Sequence, residues 1–379
     1  MVVVAGTPAP GGAGVAGACP TIGAPTQAGS LGRVPGETNA TVGISGLGVS
    51  RYNANAAGAQ IAWAVGDRSA NEIAGTDRVF LFGLDARDGS LAIRYPLAPG
   101  DFEDDPREPS ADRITNLAQT ANPIPDFEEL SIDYPSTPSQ AGLWMFDTGD
   151  NSGSRPHVNA YVVKEPDLMS DPSHLGTHPG LDDALTGPTL SLMRYPIRLM
   201  NGNYHITANV EAAFIDPRTP GNGADAVYLI TKSPVDRNGD GARGEFRVFK
   251  FHSRLASDSG QMNIAKAVGW IDLGHADLKV TSAAVSEDGT SFVVRAVSGG
   301  SKADLDVVAM WNRTAGATIE QDFEARHVPD CTWSLNSAPG SSIEETIAYR
   351  VRPGGGWDGF VWTHDVPKSS APYFTAAKT

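Results

Sequence analysis

The chain has 379 residues, of which 40% are hydrophobic, and its formal net charge is −15 at pH 7. This acidity argues against partners such as nucleic acid and anionic membranes, which select basic surfaces. No run of about 18 apolar residues occurs, so the sequence predicts no transmembrane helix. The 42 glycines and 27 prolines favour a fold with many tight turns.

The first 36 residues are rich in Gly, Ala and Pro and show no hydrophobic period. They predict an extended surface arm (1–36) ahead of a single domain (37–379). The stretch 5–25 is typical of the start of a mature exported protein, whereas the preceding apolar residues are too few for a signal peptide. We therefore expect a secreted protein whose leader has been trimmed, or one released by another route, such as a phage virion component.

A unit of three short apolar strands recurs five times along the rest of the chain. The first strand of each copy is predicted at 44–50, 128–133, 210–216, 281–287 and 344–350. The second strands follow at 60–67, 142–150, 226–232, 291–297 and 359–365. The third strands follow at 78–85, 158–166, 245–252, 306–312 and 371–377. Candidates for an outer fourth strand lie at 91–97, 190–199, 265–273 and 317–323.

A repeated multi-strand unit is the signature of a β-propeller. The fold prediction is therefore an all-β, five-bladed propeller, with six or seven blades as alternatives. The fifth copy has no fourth strand of its own because the chain ends at Thr379. We expect part of the N-terminal arm to supply that strand, since ring closure removes exposed strand edges.

The two cysteines, Cys19 and Cys331, lie 312 residues apart, which excludes a local metal knuckle. They are either two free thiols or one disulfide that ties the arm to the last blade. A disulfide would close a very long loop and so restrict the unfolded chain strongly.

Acidic residues stand at the start of three of the predicted inner strands. Superposed blades would bring them to one mouth of the central channel, where like charges raise one another's pKa or attract a cation. They either cap strand backbones or form a functional site. The residues in question are Asp126, Glu128 and Glu129, then Glu211, and finally Glu344 and Glu345.

A second polar segment, at 236–245, resembles the first half of a calcium loop. Asp236, Asn238 and Asp240 alternate and precede a glycine. The acid that such a loop needs at its twelfth position is absent, because Arg247 stands there, and Glu245 at the tenth position is the substitute. The same pattern also occurs in metal-free Asx turns. The prediction is a calcium ion held by these four residues.

A third polar segment, at 147–155, follows an apolar strand. Asp147, Asp150, Asn151 and Arg155 either fix a turn or face a ligand. The sequence contains no GxSxG, HExxH or Walker motif, so serine hydrolases of the elbow type, zincins and P-loop enzymes are not indicated.

Several motifs resemble those of a family of secreted bacterial propeller-like proteins, over about residues 37–377. Members read D-W-E-D, G-D-x-G-D-N with a following Arg, Y-x-x-x-E-P, D-x-E-A-L with D-P, and Y-x-V-T-K. The corresponding segments here are 126–129, 147–155, 161–166, 209–217 and 228–232. Phe127 replaces Trp, Glu129 replaces Asp, and VGDRS at 65–69 stands where members often read H-N-D-S-G. The resemblance implies an extracellular propeller and no settled activity.

Two functions follow as hypotheses. In the first, an extracellular or particle-surface propeller binds calcium and engages a glycan or protein at one face. Its ligand-facing residues are predicted to be Asp126, Glu129, Asp147, Asp150, Asn151 and Arg155. In the second, a hydrolase of a glycoside, lactone or phosphate ester uses Glu128, Glu211 and Glu345 around a cation at the channel mouth.

Overall fold

A computed structural model describes most of the chain after residue 18. The described residues are 19–30, 44–55, 57–66, 79–98, 125–133, 141–150, 153, 155–168, 187–217, 226–234, 245–252, 262–298, 305–335, 343–344, 346–352, 355–365 and 372–378. Within these ranges the protein is all-β apart from one short helix, and it contains no helix long and apolar enough to cross a bilayer.

The described strands form five consecutive antiparallel groups, with an N-terminal strand β1 (Thr26–Ser30) ahead of them. The first group contains β2 (Ile44–Ala54), β3 (Gln60–Gly66), β4 (Phe80–Asp85) and β5 (Leu91–Pro96). The second contains β6 (Phe127–Asp133), β7 (Gly142–Asp147), β8 (Val158–Lys164) and β9 (Met193–Asn201), with the short β10 (Tyr204–His205) paired to β9.

The third group contains β11 (Val210–Asp216), β12 (Ala226–Thr231), β13 (Glu245–His252) and β14 (Asn263–Asp272). The fourth contains β15 (Leu278–Val285), β16 (Ser291–Ser298), β17 (Asp306–Asn312), helix α1 (Ile319–Ala325) and β18 (Cys331–Ser334). The fifth contains β19 (Ile343–Glu344), β20 (Ala348–Val351), β21 (Trp357–Asp365) and β22 (Pro372–Ala377).

The groups surround a common axis. The inner strands β2, β6, β11, β15 and β20 lie side by side in that order, and β20 returns to β2. Buried apolar clusters fill the interface between each pair of neighbouring groups, including the pair formed by the fifth and the first. Sheets packed face to face around an axis define a β-propeller. At the rim, the parallel pairing of β14 with β9 also joins the second and third groups.

The N-terminal segment closes the ring, as the sequence predicts. Strand β1 pairs antiparallel with β22 and so supplies the outer strand of the fifth group. The Cys19–Cys331 disulfide is present, which confirms the pairing of the two cysteines. It does not tie the arm to the last group, however, because Cys331 opens β18 on the outer edge of the fourth group. The segment from Cys19 to β1 therefore links the fourth and fifth groups.

The prediction of an outer strand at 317–323 is wrong, because most of this segment belongs to helix α1. Thr318 caps the helix: its hydroxyl accepts from the Gln321 backbone N–H, and the Gln321 side chain accepts from the Thr318 backbone N–H. This reciprocal pair stabilises a helix start. Phe323 then packs edge-on against Phe292 in the core, and β18 provides the outer strand instead.

Candidate functional site

A β-bulge recurs at the start of the inner strands. The register shifts by one residue between Ile44 and Gly46 in β2, and the same shift occurs at the equivalent point of the next three inner strands. The extra residues are Ser45, Glu128, Glu211 and Thr281. Bulges redirect side chains and are frequent beside active sites. Two of the predicted catalytic carboxylates therefore occupy equivalent positions on neighbouring inner strands, at the end of the ring where these strands begin, which we call the mouth.

Glu128 and Asp126 lie against the backbone of Gly149, which follows β7. A Cβ placed on Gly149 would be 2.5 Å from Glu128 Oε1 and closer still to Asp126 Oδ2. Only glycine leaves room for both carboxylates. Asp126 is half-buried, whereas Glu128 is 7% exposed.

Glu211 is held by two donors that contact the same oxygen. Lys232 Nζ forms an ion pair with Glu211 Oε1, and Asn209 Nδ2 donates to Oε1 over 3.0 Å. The hydrogen bonds among the described residues leave Oε2 without a partner. Lys232 is a functional candidate that the sequence prediction missed, although it closes the Y-L-I-T-K motif. We call Asp126, Glu128, Glu211 and Lys232 the mouth cluster.

The surroundings of Glu211 raise the pKa of its carboxyl group. Burial raises the pKa of Glu211 above its ordinary value, and the nearby Asp126 carboxylate adds to the rise. The ammonium of Lys232 and the amide of Asn209 offset part of this effect. A carboxylic acid that keeps its proton above the usual pH range is suited to general acid catalysis.

Asp147, Asp150 and Arg155 form a hydrogen-bonded frame beside the mouth cluster, in which Asp150 Oδ2 accepts from the Arg155 backbone N–H over 3.1 Å. Arg155 donates from Nη1 and Nη2 to the two oxygens of Asp147 over 2.9 and 2.8 Å, and from Nη1 to the Gly149 carbonyl over 2.7 Å. Asp147 Oδ1 also accepts from the Asp126 backbone N–H over 3.0 Å. Although burial disfavours the charge, Asp147 holds the pKa of Arg155 above its ordinary value. In this frame, Asp147 and Arg155 fix the segment that carries Asp126 and Gly149.

A buried histidine that was not predicted is connected to the frame through Arg194 and Asn159, whose Nδ2 donates to Asp147 Oδ2 over 3.3 Å. His157 Nε2 accepts from Arg194 Nη2 over 3.2 Å, and Arg194 Nε donates to Asn159 Oδ1 over 3.0 Å. Burial, with Arg194 and Arg155 nearby, lowers the pKa of His157 to about 3. His157 is therefore neutral at physiological pH and has a structural role.

Glu129 lies in the channel interior rather than at the mouth, and it is fully buried. Its Oε2 accepts from Ser282 Oγ over 2.7 Å and from the Ala283 backbone N–H over 2.9 Å. Ser282 Oγ in turn accepts from the Ile347 backbone N–H over 3.0 Å. Burial raises the pKa of Glu129 well above its ordinary value, and these hydrogen bonds offset part of the rise. Glu129 thus joins inner strands across the axis.

The remaining predicted site residues are only partly described. Asp236, Asn238 and Asp240 of the predicted calcium loop, together with Asn151 and Glu345, lie outside the described residues. Glu245 is described: it opens β13 opposite Asp272 of β14. Within the described ranges, no group of three or more His, Cys, Asp or Glu side chains has the arrangement of a metal site.

No family profile and no curated protein matches the sequence. The chain resembles several solved structures at low identity. An exo-β-1,3-galactanase from Clostridium thermocellum shares 10% identity at a TM-score of 0.45, over 92% of this chain and 61% of that one. The catalytic domain of a Coprinopsis cinerea GH62 α-L-arabinofuranosidase shares 8% identity at a TM-score of 0.44, over 95% and 98%.

A third similar structure is the β-propeller domain of Cps50 (Swd1) from Myceliophteria thermophila. It shares 9% identity at a TM-score of 0.34, over 89% of this chain and 84% of that one. The chain spans less than two thirds of the length of the galactanase structures that it resembles.

Proposed function

We propose that the protein is a five-bladed propeller hydrolase with its active site at the mouth cluster. The proposal is supported by the surroundings of Glu211. Lys232 and Asn209 both contact Glu211 Oε1, and the pKa of the Glu211 carboxyl group is raised. Glu211 is then the general acid, with its proton on Oε2. A carboxyl group whose environment raises its pKa is suited to donate a proton to the leaving group.

The second carboxylate is Glu128, on the neighbouring inner strand. It removes a proton from a water whose oxygen forms a new bond to the reacting carbon, while Glu211 gives its proton to the leaving oxygen. The scissile C–O bond breaks, and the leaving oxygen becomes a hydroxyl group, on a separate alcohol for a glycoside or on the opened product for a lactone. Asp126, the most exposed acid of the cluster, contacts the substrate. Glu345, the third predicted catalytic carboxylate, stays a prediction.

The charge at the mouth favours some of the three predicted substrate classes, which are glycosides, lactones and phosphate esters, over others. With Glu211 protonated, the carboxylates of Asp126 and Glu128 still outnumber the single ammonium of the cluster, that of Lys232, and Arg155 is paired with Asp147. An acidic mouth repels phosphate and attracts neutral or cationic molecules. We therefore favour a neutral glycoside or a lactone over a phosphate ester.

Replacing Glu211 with Gln is expected to lower kcat/KM by about 100-fold to 10,000-fold, because positioned proton transfer contributes that much to a rate. The test uses the wild type against panels of neutral aryl glycosides, lactones and aryl phosphates. The loss should shrink for substrates whose leaving group is already acidic, since these need no proton. Glu128→Gln should lose activity with every leaving group.

A matched control is Glu320→Gln. Glu320 is paired to Lys250 in the same way as Glu211 is to Lys232, but it lies on α1. Its replacement should leave turnover unchanged. The proposal fails if the wild type hydrolyses none of the panels, or if Glu211→Gln is as active as the control.

Calcium-dependent binding of a glycan or protein is the second candidate function. It is favoured by the crowding of Asp126 and Glu128 at Gly149, because adjacent carboxylates attract a hard cation. A second ion would occupy the loop that ends at Glu245. The disulfide is typical of proteins in oxidising compartments, which supports an extracellular or virion location. Calorimetric titration with calcium tests this function: heat that is absent for Glu128→Gln supports it, and no heat for the wild type excludes it.

A further inference from the structure

The backbone of Lys232 is held by hydrogen bonds on both sides of the residue. Its backbone N–H donates to the Asn209 carbonyl over 2.9 Å, and its carbonyl accepts from the Val280 backbone N–H over 2.9 Å. Lys232 thus sits between β11 and β15, the inner strands of the third and fourth groups. Its side chain is 25% exposed, and its ammonium contacts Glu211.

The two donors on Glu211 make its two oxygens different. Lys232 Nζ and Asn209 Nδ2 both contact Oε1, so a proton on Glu211 is most stable on Oε2. Asn209 is itself oriented, because its Oδ1 accepts from the Asp150 backbone N–H over 2.8 Å. The contacts therefore fix both the direction of the carboxyl group and the oxygen that carries the proton.

We propose that Lys232 is the positioning residue of the mouth cluster, fixing Glu211 Oε1 and setting the pH at which Oε2 releases its proton. This inference rests on the proposed function, in which Glu211 is the general acid. Lys232 acts through Glu211 and makes no contact with the reacting bond in this scheme.

Charged residues lie on or beside the strands that contact β11, which are β6, β12 and β15. The second group contributes the acids on and beside β6 and the hydrogen-bonded frame that follows β7. The Lys232 ammonium follows β12, and β15 carries one further lysine. These groups are Asp126, Glu128, Asp147, Asp150, Arg155, Lys232 and Lys279. Lys232 is the cation in direct contact with Glu211, so its removal should change the acidity of Glu211 most.

Lys232→Met is expected to move the alkaline limb of the kcat/KM profile upward by about one pH unit. An adjacent cation lowers the pKa of a carboxyl group by about 1–3 units, so its loss lets Glu211 keep its proton to higher pH. Lys232→Gln should produce the same shift, because it retains a donor without the charge, and it replaces Lys232→Met if that variant does not fold. Lys232→Arg should restore the wild-type limb.

The control is Lys250→Met, which removes the equivalent ammonium from Glu320 and should leave the limb in place. Titration of the Glu211 carboxyl carbon by NMR provides a readout that needs no activity. An unmoved Glu211 titration in both Lys232→Met and Lys232→Gln overturns the inference, even if Glu211→Gln is inactive. Absence of turnover in the wild type overturns the proposed function instead, while a shifted Glu211 titration would still establish the role of Lys232.

Discussion

Loss of the Cys19–Cys331 disulfide is expected to lower the free energy of unfolding by about 5 kcal/mol, because the bond closes a loop far longer than 100 residues. The bond joins positions 312 residues apart, so its removal releases nearly the whole chain in the unfolded state. The native state also loses the tether that brings the N-terminal segment to β22. Strand β1, which pairs with β22, should then detach more readily.

Urea unfolding of the Cys19→Ser/Cys331→Ser double variant measures this effect. In thermal unfolding, the melting temperature of the variant should fall by about 5–10 °C relative to the wild type. The wild type with its disulfide reduced should match the variant. Amide exchange should rise in β1 and β22 while β6 and β11 stay protected. An unchanged unfolding midpoint would mean that ring closure does not depend on the bond.

Replacing Arg295 with Met is expected to cost about 3–5 kcal/mol of folding free energy, because it leaves a buried carboxylate without its partner. Arg295 is fully buried and donates to both oxygens of Asp306, over 3.0 and 2.8 Å. Its Nη1 also donates to the carbonyls of Thr346 and Thr363, over 2.8 and 3.0 Å. The side chain therefore joins the fourth group to the fifth.

The double variant Arg295→Met/Asp306→Leu should recover part of this loss, since no unpaired charge remains. Arg350→Met is the matched control, because its ion pair with Asp358 leaves both side chains 29% exposed. Exposed pairs contribute only about 0–1 kcal/mol. If Arg295→Met were as mild as this control in chemical denaturation, the pair would not hold the groups together.

The order of strands could be predicted because each repeat carries the same unit of apolar strands, and the need to close the ring pointed to the N-terminal arm. The segment 317–323 could not be assigned correctly, since its apolar spacing fits a strand and only the Thr318–Gln321 capping box indicates a helix. The assignment of Cys331 to the fourth group depended on recognising this helix. Without α1, β18 cannot be recognised as the outer strand of the fourth group.

The mouth acids could be predicted from their place at the start of repeated strands, but their roles could not. Glu128 and Glu129 are neighbours in sequence, yet the bulge sends Glu128 to the mouth and leaves Glu129 to bond Ser282 in the interior. A one-residue register shift has no clear sequence signal. Lys232 was missed for a similar reason, because its contact with Glu211 depends on the pairing of β11 with β12.

The measurement that tests the central claim most directly is the pKa of Glu211 in the wild type, followed by carboxyl-carbon NMR with Glu211→Gln for assignment. Glu320 gives an internal comparison: burial opposes its charge, but the hydrogen bond from Lys250 holds its pKa below the ordinary value. The account predicts that Glu211 titrates above an ordinary glutamic acid and Glu320 below it. A Glu211 pKa at or below that of Glu320 would contradict its assignment as the general acid.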